Sequence, residues 1–133
     1  MCFIELNNSD YTDKELQEFF EKFSYDSIES FDLILYFSSF SSNISDLIER
    51  LKKAKEIVSK TKIFEESKRT IEHEISFLSK KQLELLTGLL DEAISCASSD
   101  GRYQEEFEYM SHLSDVTDDA LDMIYCGRKR KKH

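Results

Sequence analysis

Ser79-Lys-Lys-Gln-Leu-Glu-Leu-Leu-Thr-Gly-Leu-Leu-Asp-Glu-Ala-Ile-Ser-Cys-Ala-Ser-Ser-Asp-Gly101 is the stretch that decides the fold class. Ser79 and Gln82 stand three apart, the spacing of a capping box in which hydroxyl and amide side chains satisfy each other's orphan backbone N–H groups. Leu83, Leu86, Leu89, Leu90, Ala93, Ile94 and Ala97 then recur with helical period and form one apolar face. Ser98-Ser99-Asp100-Gly101 stops the helix. Nothing in the stretch alternates with the period of two that a half-buried strand requires.

The same grammar extends in both directions. Thr12-Asp-Lys-Glu15 is a second capping box, and Leu16, Phe19, Phe20 and Phe23 follow it on one face. Asp26-Ser-Ile-Glu29 reads as a further cap before Ile28, Phe31, Ile34, Leu35 and Phe37, a segment apolar nearly all round and therefore expected to be the central buried helix. The serine run from Ser38 to Asn43 reads as a loop, because serine and asparagine favour caps and turns. Ile44, Leu47, Ile48, Leu51, Ala54 and Val58 mark the next helix. One helix over 44–78 would reach about 50 Å at about 1.5 Å per residue, so a break near Ser59-Lys-Thr61 is expected. Beyond Gly101, Phe107, Met110 and Leu113 mark one helix, and a short last helix is expected from about Asp118, with Gly127 as its C-cap.

Six or seven helices and no strand follow, and the class is all-α. Proline is absent and glycine occurs three times, which leaves too little turn chemistry for a sandwich or a doubly wound sheet. A chain of 133 residues is one domain in size. Residues 1–127 are read as that domain and 128–133 as a basic, disordered tail.

Charge narrows the partners. The chain carries 18 basic and 27 acidic side chains, a formal charge of −9. Five of the basic groups lie in Arg128–Lys132, so residues 1–127 hold 13 basic against 27 acidic groups, a net −14. Such a body repels nucleic acid, whose binding requires phosphate neutralisation by Lys or Arg. No direct DNA binding by the acidic body is expected. No stretch is long and apolar enough to span a bilayer, and the N-terminal residues lack the features of a signal peptide. Cys2, Cys96 and Cys126 have no metal-ligand spacing, and an odd count fits a reducing cytoplasm.

Residues 83–125 resemble the tellurite-resistance TerB family and its TerB-like relatives. An apolar, alanine-containing helix runs into Asp100-Gly101, Glu105 and Glu106 open the next helix, and Ser114-Asp115-Val-Thr-Asp118-Asp119 stands where a third helix begins. Ser98, Ser99, Tyr103 and Gln104 depart from the family pattern. The resemblance implies a stress- or defence-related binding domain. It also implies a weak divalent-cation site, calcium or magnesium, with Asp100, Glu105 and Glu106 as ligands. The residues themselves have a plainer reading as a helix cap, with Gly101 at positive φ and the two glutamates near the positive end of a helix dipole. No cofactor is required by either reading.

No nucleophile motif, zinc spacing or phosphate loop is present, and Glu72-His73-Glu74 reads as a solvated helix face. A non-enzymatic role is therefore expected. Phe19, Phe23, Tyr36 and Phe40 are the aromatic candidates for a protein partner or a homodimer face, against the alternative that aromatics fill the core of a small bundle. Two functions stay open. One is an adaptor of the TerB-like kind. The other is a small acidic viral or mobile-element inhibitor that blocks a basic nucleic-acid-binding surface of a host protein.

Overall fold

Thr12 sets the first helix as its spacing predicts. Its Oγ1 accepts from Glu15 N at 3.1 Å and its own N–H donates to Glu15 Oε1 at 2.9 Å, opening α1 (Asp13–Glu21). The computed structural model describes Leu6, residues 10–61 and residues 70–126. The other elements are α2 (Tyr25–Ser38), α3 (Ser45–Thr61), α4 (Ile71–Ile75), α5 (Lys80–Ser98) and α6 (Gln104–Cys126). Short 3-10 turns at Ser42–Ile44 and Gly101–Tyr103 precede α3 and α6. No strand occurs among the described residues, and the all-α expectation holds. Gly127 and the basic tail lie outside the described residues.

Helices α5 and α6 form an antiparallel hairpin, α2 packs across α5, and α1 pairs with α3. The apolar face read from the sequence of α5 is the centre of the bundle: Leu83, Leu86, Leu89, Leu90, Ala93 and Ala97 are all buried. Gly88 lies on the same helix, where a Cβ would come within 2.5–2.8 Å of the Leu6 side chain. Glycine here makes a notch that takes the Leu6 side chain. Arg50 ties α3 to the start of α1, through Asp13 Oδ1 at 2.9 Å and the Tyr11 carbonyl.

Four expectations need correction. The cap of α2 is Ser24, whose Oγ accepts from Ser27 N at 3.3 Å, and not Asp26. The choice is made from afar: Glu74 Oε2 on α4 accepts from Ser24 N at 3.0 Å. Glu74 is accordingly fully buried and does not belong to a solvated face, although Glu72 and His73 do. The third correction concerns α6, which runs unbroken through Ser114–Asp118 and leaves no separate last helix. Ser114 and Thr117 face the core, and Thr117 Oγ1 bonds back to Leu113 O at 2.8 Å, so the hydroxyl stays inside the helix instead of capping a new one. Finally, Gly101 is not at positive φ, and a Cβ there would meet nothing within 4 Å. Residues 44–78 do not form one helix, since extended Thr70 opens α4 by accepting from His73 N at 3.2 Å. Ser59-Lys-Thr61, where the break is expected, is still helical in α3, and residues 62–69 lie outside the described residues.

Candidate functional site

The site is built at the C-terminal end of α2. Ser38 is fully buried there, with Oγ 2.6 Å from Ile34 O and 2.9 Å from Leu89 O, so the end of α2 is fastened to α5. The chain then turns through Phe40 N to Phe37 O at 3.2 Å and Ser41 N to Ser38 O at 3.0 Å. This turn holds Phe40 beside the last turn of α2, with its ring 5.1 Å from that of Tyr36. Phe37, 1% exposed, anchors the group from beneath: its ring lies 5.1 Å from Tyr36, 6.1 Å from Phe40 and 4.9 Å from Tyr103, each edge to face. Tyr36 and Phe40 are 51% and 57% exposed.

The α5–α6 turn supplies the other half. Asp100 Oδ1 accepts from Arg102 N at 3.0 Å and from Arg102 Nε at 3.1 Å, while Arg102 Nη2 reaches Oδ2 at 2.7 Å. The guanidinium lies over the Tyr103 ring at 5.6 Å. Its hydrogen bonds, first the side-chain ones and then the backbone N–H, hold the Asp100 carboxyl down at about 2. A depressed carboxyl of this kind contributes its pairing above the ordinary carboxylate range and loses it only as pH falls through about 2. Arg102 is exposed and Asp100 partly so, and the pair shapes the turn more than it stabilises the fold.

Two sequence candidates, Tyr36 and Phe40, therefore meet the Asp100–Arg102 turn at one end of the molecule. The other two do not. Phe19 and Phe23 are fully buried, packed edge to face with Phe31 at 5.4 and 4.6 Å, and belong to the core under α1. The proposed cation ligands are not gathered either. Among the described residues no group of three or more His, Cys, Asp or Glu side chains is placed to hold a metal ion. Both Asp100 oxygens already serve Arg102, and Glu105 and Glu106 stand in the first turn of α6. Sequence reading missed Phe37, Arg102 and Tyr103 as parts of one surface. Its available signal was an aromatic and a cation directly behind the Asp-Gly turn.

A second surface lies where α5 faces the later part of α6. The Asp91 carboxyl is pushed up by burial and then by the charges of Asp118 and Glu92. Asp118 is raised likewise, by burial and then by Asp115 and Asp122. Like charges are crowded there. His112 Nε2 lies 2.8 Å from Glu72 Oε2, linking α6 to α4 at the surface. Among the described residues no helix is long and apolar enough to cross a membrane. Comparison with known proteins finds no family model, no curated protein and no solved structure that matches this chain.

Proposed function

We propose that the chain is a non-enzymatic binding module, an adaptor that docks a protein partner on the aromatic end formed by Tyr36, Phe40, Arg102 and Tyr103. The observation that carries this reading is the pair of neighbouring rings left half in water, 51% and 57% exposed, on a rigid base of buried Phe37. Burying the exposed half of such rings on a partner recovers about 1 kcal/mol each, roughly half of what full transfer from water gives. Tyr, Phe and Arg are the side chains enriched at the centre of protein interfaces. Because Ser38 and Phe37 already fix the site, little ordering is left to be paid on binding.

The TerB-like, stress- or defence-related setting belongs to the same proposal. Its support is the α5–turn–α6 hairpin, the first two of the three helices that carry the resemblance; the third is absorbed into α6. A cation at that turn would have to displace Arg102 from Asp100, and the docking role does not call on one. The test is site-specific photo-crosslinking in the protein's own cells, with the crosslinker at position 40 or, as control, at exposed Glu29. A discrete protein adduct is expected at position 40 and is lost in Tyr36→Ser. Adducts at position 29 with none at position 40 would remove the aromatic end as the docking surface.

The crowded carboxylates of Asp91 and Asp118 favour a second reading, the acidic inhibitor that covers a basic nucleic-acid-binding surface of a host protein. A basic groove would relieve that repulsion. Displacement of DNA from a basic host protein, lost in Asp91→Asn with Asp118→Asn, is its expected signature.

A further inference from the structure

We infer that the aromatic end takes a cationic segment of a partner protein, one that lays Arg or Lys side chains across the rings of Tyr36 and Phe40. The inference rests on the aromatic end being the docking surface. It adds the chemical class of what docks.

The four residues of the surface come from two stretches of chain. Residues 23–49, which include α2 and the start of α3, contain five acidic and no basic residues. Residues 82–127, which include most of α5 and all of α6, contain eleven acidic residues and a single basic one, Arg102. That one cation is already neutralised by the two-pronged grip of Asp100. Asp46 is exposed in the first turn of α3, six residues after Phe40, and Glu105 is exposed in the first turn of α6, two residues after Tyr103. Of the five basic residues of α3, all lie beyond residue 49, and two are turned to other uses, Lys55 to Asp32 at 2.8 Å and Arg50 to Asp13 at 2.9 Å.

An apolar, uncharged partner would cover the rings and leave this acidity unanswered. An anionic partner, nucleic acid included, would meet like charge. A cationic segment satisfies both features, since ring faces attract cations and carboxylates pair with them. The molecule holds an internal example of the contact. Arg102 lies 5.6 Å over the Tyr103 ring with a carboxylate at its edge, and a partner's guanidinium would repeat that arrangement on Tyr36 or Phe40. Arginine suits the role better than lysine because its planar group stacks on a ring and pairs with a carboxylate at once.

The test is an NMR titration of the full chain at 150 mM salt, about the physiological ionic strength, with three synthetic amphipathic peptides. They share one leucine spacing and carry Arg and Lys, Gln, or Glu at every polar position. The cationic peptide is expected to shift the amides of Tyr36, Phe40, Arg102 and Tyr103. The Gln peptide should bind them at least about tenfold more weakly, and the Glu peptide not at all. Tyr36→Ser with Phe40→Ser should weaken the cationic peptide about tenfold or more while the melting temperature stays near that of the parent chain. Equal binding to the double variant, or shifts confined to Asp115–Asp122, would reduce the effect to general attraction and overturn the inference. Equal affinity of the Gln and cationic peptides at the aromatic end would also overturn it, yet leave that end standing as a docking surface. Silence of all three peptides there overturns the cationic class, and the crosslinking at position 40 then judges the surface separately.

Discussion

In the N-terminal half of α2, Phe31 lies edge to face with Phe19, Phe20 and Phe23 at 5.4, 5.4 and 4.6 Å, and all four rings are fully buried. At the other end, Tyr36, Phe37, Phe40 and Tyr103 meet in the same edge-to-face manner at 4.9–6.1 Å, and two of the four stand half in water. The rings, the helix and the pairing geometry are alike. What differs is the lid. Over the first cluster the chain has just turned out of α1, which packs on α3, and the buried Glu74 carboxylate of α4 fastens the turn through Ser24 N. Over the second, only a serine-rich turn passes before α3 departs. Whether an aromatic cluster becomes core or surface is thus decided by what crosses it, not by its own composition.

That contrast is sharpest under truncation. Phe31→Ala should cost about 3–5 kcal/mol, because it opens a cavity among three close-packed rings that cannot collapse into it. Chemical denaturation would read this as a large fall in midpoint at unchanged slope. A cost near 1 kcal/mol would mean that the sealed cluster is looser than its ring distances imply.

Glu74→Ala comes next, at about 1–3 kcal/mol, since it strips a buried backbone N–H at the head of α2 of its acceptor. Glu74→Gln keeps an acceptor oxygen and should recover more than half of the loss. Equal losses for the two variants would place the effect in the negative charge at the helix N-terminus and not in the hydrogen bond.

How much of this was legible in the sequence follows from the range of each interaction. The capping boxes at Thr12 and Ser79 join residues three apart, and both form as read. The apolar faces of α1, α3 and α5 repeat locally, and they too are buried as read, except that Ile94 at the edge of the α5 face is only partly covered. The cap of α2 failed because Asp26 and Ser24 are both good caps, and the choice lies with Glu74, fifty positions away. Thr117 and Asp118 look like a helix start until the bundle turns Ser114 and Thr117 inward. Phe19 and Tyr36 have equal claims as sequence candidates, and only the burial of the α1 rings against Phe31 separates them. The surface at Tyr36, Phe40, Arg102 and Tyr103 joins residues more than sixty apart, so it had no local signature.

The open end should respond to truncation in the opposite sense. Tyr36→Ser with Phe40→Ser is expected to change stability by no more than about 1 kcal/mol, since half-exposed rings have little cavity to leave behind. Solubility at high concentration should rise as the apolar patch is removed. A loss of 3 kcal/mol or more would show that these rings are structural and would erase the distinction between the two clusters.

The smallest effect is expected one turn further on, at Gly101. An Asp-Gly pair between two strong helices suggests a glycine held at positive φ, for which any side chain costs about 1 kcal/mol or more. Gly101 instead begins a 3-10 turn with φ outside the left-handed region, and open space lies where its Cβ would stand. The turn is held by its neighbours, through Asp100 and Arg102, and asks nothing special of the glycine. Alanine there restricts the unfolded chain without straining the folded one, and the same restriction stabilises by about 0.4–1 kcal/mol at other compatible sites. Gly101→Ala should therefore leave the melting temperature unchanged or raise it by a few degrees, and Gly101→Val should differ little from it. A fall of several degrees in both variants would restore the strained turn. The open cluster would then rest on a special backbone conformation, where it now rests on the Asp100–Arg102 pair and the ring of Phe37.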